Sequence, residues 1–153
     1  ASIVGRRLGA GQPDEAWRAV RIMALPLASL GTAVGAVFFF GGPFLVGLFA
    51  ADADAYREGV LYATVLAWSQ PMVAVEVMFE GALNGAGHTR KTFWASVPFN
   101  LARVPLAWVL AFPVGWGAVG VWWAINLTTY AKALTKGALV WHGGWARQEA
   151  WPG

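Results

Sequence analysis

Cysteine is absent from this chain of 153 residues, and charged residues are scarce. The lack of cysteine excludes a disulfide framework and any metal site built on thiolates. Asp, Glu, Lys and Arg make up 12% of the residues, whereas a soluble domain has about 25%. The two histidines, His88 and His142, lack the spacing of metal ligands, so no metal site is predicted. The net charge of +3 is small, and no basic stripe predicts a nucleic-acid partner.

Catalytic constellations are lacking as well. No nucleophile stands in a recognisable pattern with a base. The glycine-rich segments, residues 5–11 and 81–87, do not end in the Lys-Ser or Lys-Thr of a phosphate loop. An enzyme is therefore not predicted.

Apolar residues, by contrast, are in excess in this chain. Hydrophobic residues account for 58% of the sequence, and the mean hydropathy is +0.51. Ten tryptophans and nineteen glycines are typical of membrane helices and their interfaces. The composition predicts an all-α integral membrane protein in contact with a lipid bilayer. The chain begins at Ala1 with neither Met nor a signal peptide, which predicts a piece of a longer protein.

Apolar segments near the roughly 20 residues that a bilayer core requires occur four times. The predicted transmembrane helices cover residues 22–49, 60–83, 93–114 and 118–141. Before the first of them, Pro13 followed by two acidic residues predicts the start of an amphipathic helix. After the last, the glycine-broken segment at residues 143–149 is predicted to be frayed.

The positions of Lys and Arg predict the orientation in the membrane. Basic residues lie before the first predicted span, between the second and third, and at or beyond the end of the fourth: Arg6, Arg7, Arg18, Arg21, Arg90, Lys91, Lys136 and Arg147. The alternate connections hold Arg57 alone. Both termini are therefore predicted to be cytoplasmic, with this multi-pass segment in the inner (plasma) membrane.

Two carboxylates, Glu76 and Glu80, lie inside the second predicted span. A charged side chain at the centre of a membrane helix is unfavourable by ~2.5–3.5 kcal/mol on insertion scales, and it commonly marks an ion or substrate path. A spacing of four residues puts both on one helical face. Pro71, upstream, lacks an N–H and can kink the helix. This combination predicts a proton or cation coupling site. A structural ion pair is the alternative, above all for Glu80, which lies near Arg90 and Lys91 in the sequence.

Arg103 falls near the middle of the third predicted span, where an arginine has to pair or face water. Glu76 is the acidic residue nearest to it in predicted depth, so we expect Arg103 to be its ion-pair partner. Such a pair would keep the carboxylate ionised and would compete with a coupling proton. The sequence leaves open whether Arg103 locks Glu76 or exchanges with the proton.

Other polar and aromatic residues of the spans have simpler interpretations. Lys132 and Lys136 lie near the predicted cytoplasmic end of the fourth span, where long side chains snorkel to the interface. Asn100 and Asn126 are expected to form hydrogen bonds between helices. Trp68 could bind an organic cation on its ring face. Trp68, Asn100 and Asn126 are the predicted cavity-lining residues.

Two loop motifs resemble those of a known family. Residues 4–13, VGRRLGAGQP, are similar to the VGQxLGAGxP loop of the MATE (multidrug and toxic compound extrusion) transporters, and residues 81–90, GALNGAGHTR, to their GALRGAGDTR loop. Three shorter matches follow the same order along the chain: LFAAD at 48–52, RVPLA at 103–107 and GAVGVW at 117–122. Together the five matches cover nearly the whole chain, so the resemblance is specific.

The resemblance implies a twelve-helix antiporter of two related six-helix bundles, which exchanges drugs or organic cations for protons or sodium ions and needs no other cofactor. This chain, residues 1–153, would supply the last four helices of the C-terminal bundle, and the remainder of the transporter would be its partner. In that family, acidic residues of helices seven and ten are implicated in cation coupling. Helix ten corresponds to the span that carries Glu76 and Glu80.

The chain departs from the family pattern in two ways. Arg6, Asn84 and His88 stand where Gln, Arg and Asp are usual in the loops. The acidic residue of several cation-binding members lies about one turn further from the loop, near Val73, which is apolar here. The coupling role of Glu76 is therefore inferred for the helix and not for an identical position.

Three other functions remain open from the sequence. One is a small four-span exporter that works as a dimer, and another is a flippase of lipid-linked substrates. The third is a structural membrane subunit in which both glutamates are held in ion pairs.

Overall fold

The computed structural model describes residues 2–146, which form six α-helices. They are α1 (Ser2–Gly9), α2 (Pro13–Gly47), α3 (Ala53–Ala67), α4 (Gln70–Gly85), α5 (Thr89–Ala111) and α6 (Gly117–Trp141). The all-helical prediction is confirmed for this part of the chain. The four predicted transmembrane helices do not match the six helices one to one, because a short helix, α1, precedes the first predicted span and the second predicted span is divided into α3 and α4.

The longest helix, α2, joins the predicted amphipathic start to the first predicted span. Its 35 residues would extend about 50 Å at 1.5 Å per residue. Pro13 occupies the first turn, where proline loses no helical hydrogen bond, and Asp14 and Glu15 favour the positive end of the helix. Many of its apolar side chains are exposed, among them Leu25, Phe40 and Phe44. Such an apolar outer face is typical of a helix that contacts lipid or other helices.

Length and hydropathy single out α2 as able to cross a membrane within residues 2–146. The pair α3 and α4 makes a second crossing if it is counted as one bent span. The axes of these two helices differ by 51°. The predicted kink near Pro71 is therefore confirmed as a full break, at Trp68 and Ser69, between two separate helices.

Two glycines of α2 allow that helix to pack closely against the break between α3 and α4. A Cβ added to Gly35 would lie 2.7 Å from the carbonyl oxygen of Ala67, and one added to Gly31 would lie 2.7 Å from that of Gln70. Both distances are too short for any side chain. The four-residue spacing of the two glycines thus brings the α2 backbone directly against the end of α3 and the start of α4.

A compact apolar cluster closes one end of the helices. Its buried members come from α1, α2, α4, α6 and the segment after α6: Val4, Leu8, Ala16, Val20, Ala82, Leu83, Val140, Trp145 and Ala146. Trp145 donates its indole N–H to the Val140 carbonyl oxygen at 2.7 Å and lies 5.3 Å from the Trp17 ring, centroid to centroid. The prediction of a frayed end is therefore wrong as far as residue 146, and Arg147 with the rest of that segment lies outside the described residues.

The helices α3, α4 and α6 run in the same direction along one another. Contacts of α6 advance together with those of α3 and α4, from Asn126 with Val65 to Tyr130 with Trp68 and then to Lys136 with Glu80. This parallel register places the second half of α6 beside α4, and it brings the charged side chains of the two helices together.

Candidate functional site

Four charged side chains meet between α4 and α6. The Lys136 ammonium donates to Glu76 Oε1 at 2.8 Å and to Glu80 Oε2 at 2.6 Å. The Lys132 nitrogen lies 3.3 Å from the same Glu76 Oε1. Two carboxylates and two ammonium groups thus form one connected network whose formal charge is zero.

Burial within this charge network is graded. The Lys136 side chain is 1% exposed and that of Glu76 is 9% exposed. The Lys132 side chain is 14% exposed and that of Glu80 is 45% exposed. Lys136 is therefore the fully enclosed centre of the network, Glu80 is its open end, and Glu76 is a buried carboxylate shared by two cations.

Two helical spacings produce the network. Glu76 and Glu80 are four residues apart on α4, and Lys132 and Lys136 are four residues apart on α6, so each pair occupies one face of its helix. Because α4 and α6 are parallel, Glu76 lies beside Lys132 and Glu80 lies beside Lys136. Lys136 also contacts Glu76. A buried charge requires such partners, since removal from water is unfavourable unless the charge is paired and hydrogen-bonded.

The predicted partner of Glu76, Arg103, does not pair with it in the described chain. Arg103 lies on α5, and its Nε donates to the Thr128 hydroxyl of α6 at 2.9 Å. Both ion pairs of Glu76 within residues 2–146 are with lysines. The prediction failed because α6 carries the lysines at the level of Glu76, whereas Arg103 contacts α6 at the level of Thr128, one turn before Lys132.

The break between α3 and α4 forms a second polar cluster on α6. Ser69 donates its backbone N–H to Leu66 rather than to Val65, so the Val65 carbonyl loses its helical donor. Asn126, which is fully buried, donates Nδ2 to that carbonyl at 2.6 Å. Tyr130 donates its hydroxyl to the Trp68 carbonyl at 2.8 Å. Side chains of α6 therefore satisfy backbone groups that the break has exposed.

One atom of this polar cluster is unsatisfied. The Asn126 Oδ1 is buried and accepts no hydrogen bond in the described chain. Such an atom is unfavourable unless a water or another donor reaches it.

The other predicted cavity-lining residues lie apart from the charged site. Trp68 lines an open hollow of about 290 Å³ between α2 and the break, together with Phe39 and Pro71. Its ring meets the Phe39 ring edge to face, with centroids 6.2 Å apart. Asn100 is exposed on α5. The structure thus brings Trp68 and Asn126 to the same break, while Asn100 belongs to neither cluster.

The lysines are the site residues that the sequence interpretation missed. Lys132 and Lys136 were expected to snorkel to the interface, yet Lys136 is enclosed and both contact Glu76. A signal was present in the sequence, because two acids and two bases repeat the same spacing of four on two different helices. Only the register between α4 and α6 joins the two pairs.

Metal binding finds no support in the part of the chain that is described. Residues 2–146 contain no group of three or more His, Asp or Glu side chains that could hold a metal ion. The charged site instead consists of two carboxylates whose counter-charges are the ammonium groups of Lys132 and Lys136.

Comparisons with known proteins agree on one type of membrane protein. A family model described as MatE matches residues 1–109. The Probable multidrug resistance protein NorM of Pseudomonas aeruginosa is 34% identical over 146 residues, covering 86% of this chain and 29% of that protein. The protein of the same name from Pseudomonas putida is 32% identical over 142 residues.

A plant relative is more distant. Protein DETOXIFICATION 31 of Arabidopsis thaliana is 22% identical over 147 residues, covering 95% of this chain and 28% of that protein. The chain thus spans about 30% of the length of the curated relatives that it matches. No solved structure matches.

Proposed function

This chain belongs to the MatE family of membrane transporters, which are not enzymes, and from that premise we propose that it is the C-terminal part of a multidrug antiporter. The complete protein exports drugs or organic cations across the plasma membrane in exchange for protons or sodium ions. Residues 1–153 supply its last four membrane spans, and the rest of the transporter packs against them. The share of the relatives that the chain covers supports this assignment.

The proposed arrangement has four spans when the broken pair is counted once, of which α2 and the bent pair also meet the length and hydropathy of a membrane crossing within residues 2–146. In this arrangement α2, α3 with α4, α5 and α6 each cross the bilayer, and α1 lies at the inner surface. Both termini of the segment are cytoplasmic, as the positions of the basic residues favour. Alternating access then moves this bundle against the missing one, around a site near the bilayer midplane.

Glu76 is the coupling residue of this proposal. The observation that carries it is a buried carboxylate inside the helical bundle of a transporter, two turns after a broken helix. Ionisable groups at such depth commonly lie on ion paths, and broken helices commonly form transport sites. Glu80 is its more open neighbour, through which an ion or proton from the cytoplasm reaches the pair.

Replacing Glu76 in the complete transporter tests this proposal. Glu76→Gln keeps the shape of the side chain but can neither release a proton nor bind a cation by charge. Lys136 would retain Glu80 as its partner, so the variant is expected to accumulate in the membrane. We expect loss of efflux of an organic cation such as ethidium when a proton or sodium gradient drives it, measured in everted membrane vesicles.

The matched control is Glu58→Gln, which neutralises an exposed glutamate of α3. It should leave ion-driven efflux unchanged. Efflux by Glu76→Gln at the original rate, across a range of pH and of sodium concentration, would rule out coupling at Glu76.

A structural role is the second candidate, and the zero net charge of the network favours it. In that case the four charges hold α4 to α6 and exchange nothing with solvent. The same variant separates the two functions. A structural role predicts that Glu76→Gln lowers the amount of folded protein, while the molecules that do fold keep their dependence on the ion gradient.

A further inference from the structure

The charge of the network constrains how Glu76 could bind an ion. Two carboxylates face two ammonium groups, so the site is neutral before any coupling ion arrives. A proton or Na⁺ added to Glu76 would leave one excess positive charge in a buried place, which is unfavourable. Binding is therefore more favourable if one of the two lysines leaves the carboxylate.

Lys136 is poorly suited to leave. Its ammonium group bonds to both carboxylates, at 2.8 and 2.6 Å, and its side chain is 1% exposed. Removing it from Glu76 would move a buried cation away from its partner without bringing it to water. Lys136 is thus the fixed cation of the network.

Lys132 has the opposite properties. Its nitrogen has a single carboxylate contact, the 3.3 Å distance to Glu76, which is the longest in the network. Its side chain is 14% exposed, so rotation of a flexible four-carbon stem can bring the ammonium group to water. Lys132 is therefore the cation that can be displaced at the lower free energy.

Within residues 2–146, the ion pairs of Glu76 are those with the two lysines, and the charged residues of α3, Asp54, Arg57 and Glu58, are exposed. The helix α2 has no charged residue from residue 22 to its end. Arg103 of α5 donates to Thr128, and Arg90 and Lys91 line a surface hollow between the start of α5 and the last turns of α6. On α1, Arg7 donates to Gln12. The local charge at Glu76 is thus set by Glu80 and the two lysines.

We propose that Lys132 is a tethered counter-cation that occupies Glu76 in the ion-free transporter, and that the coupling ion binds by displacing it. This inference rests on the proposed coupling role of Glu76. When a proton binds, the carboxylate becomes neutral and the Lys132 ammonium, still protonated, moves to water. When Na⁺ binds, it takes the position of the ammonium at Oε1. In both cases the buried part of the network keeps zero charge.

The inference makes Lys132 the residue that sets ion affinity. An opposite charge within about 4–6 Å commonly changes the proton affinity of a carboxylate by about ten- to thousandfold. Without Lys132 the site would hold one uncompensated negative charge, and it would attract the coupling ion more strongly. Lys132→Met should therefore raise ion affinity, whereas Lys132→Arg, which keeps the positive charge, should leave it close to the original.

The experiment measures ion-driven ethidium transport by the complete transporter in liposomes, over a series of Na⁺ concentrations and of pH. For Lys132→Met we expect the half-saturating concentration of the coupling ion to fall by about tenfold or more. For proton coupling this is a shift of the half-maximal rate to higher pH by about one unit or more. Lys136→Met replaces the other lysine of the same network and is the matched comparison. It is expected to lower the amount of folded protein and not to change the ion affinity.

The possible results separate the inference from the proposed function. A half-saturating concentration that is unchanged in folded Lys132→Met would overturn the counter-cation role. Failure of Lys132→Met to accumulate, as expected for Lys136→Met, would also overturn it, because Lys132 would then be a structural cation. If Glu76→Gln retains ion-driven transport, the coupling role of Glu76 is wrong, whatever Lys132 does.

Discussion

At the scale of single residues, the network is defined by unequal burial. Lys136 is enclosed and bridges two carboxylates, whereas Lys132 and Glu80 lie at its edges. Breaking a buried ion pair by removing one partner typically destabilises a protein by about 3–5 kcal/mol, because a charge remains without compensation. The central lysine should therefore matter for folding, and the peripheral charges should matter less.

Lys136→Met tests this assignment. The substitution leaves the buried Glu76 with Lys132 alone, and we expect a loss of about 3–5 kcal/mol in the free energy of unfolding. Adding Glu76→Gln should restore much of that loss, since the amide needs no counter-charge. Thermal unfolding of the complete protein in detergent measures both. Additive losses in the two single variants and the double variant would contradict direct coupling between these residues.

At the scale of helices, α6 holds the broken span together. Asn126 and Tyr130 donate to carbonyls of Val65 and Trp68, and two α2 glycines pack on the other side of the same break. These contacts hold the bend of 51° between α3 and α4. The direction of α4, and with it the position of Glu76, depends on these contacts.

Asn126→Leu tests the support from α6. It leaves the Val65 carbonyl buried without a donor, which typically destabilises by about 1–3 kcal/mol. Tyr130→Phe removes the bond to Trp68, but its effect should be smaller, because that bond lies at an exposed position. Thermal unfolding of both variants shows which of the two substitutions destabilises the protein more. An effect of Tyr130→Phe that equals or exceeds that of Asn126→Leu would show that the buried amide is not the main support.

Features set by residues close together in the sequence could be predicted. Contacts between residues far apart in the sequence could not. Pro71 and the spacing of Glu76 and Glu80 are local, so the break and the shared face were predicted correctly. The pairing of Glu76 depends on the register of α6 against α4, helices whose contacting residues lie about sixty positions apart. Depth alone favours Arg103, and the repeated spacing of four on α4 and α6 points to the lysines only once the register between these helices is known.

At the scale of the whole molecule, the break between α3 and α4 determines on which side of the membrane each connection lies. If α3 and α4 together form one crossing, the connections at residues 48–52 and 86–88 lie on opposite sides of the membrane. If the pair instead turns back as a re-entrant segment, both connections lie on the same side. The apolar cluster favours the full crossing, because Ala82 and Leu83 place the end of α4 beside Ala16 near the start of α2.

Cysteine labelling can show on which side of the membrane each connection lies, because this segment contains no cysteine of its own. Ala51→Cys, Asn84→Cys and Val114→Cys each introduce one thiol at an exposed position in or near a connection. In intact cells, a membrane-impermeant maleimide should label residues 51 and 114, and residue 84 should react only after the membrane is opened. Labelling of residues 51 and 84 from the same side would refute a full crossing by α3 and α4, and with it the four-span arrangement.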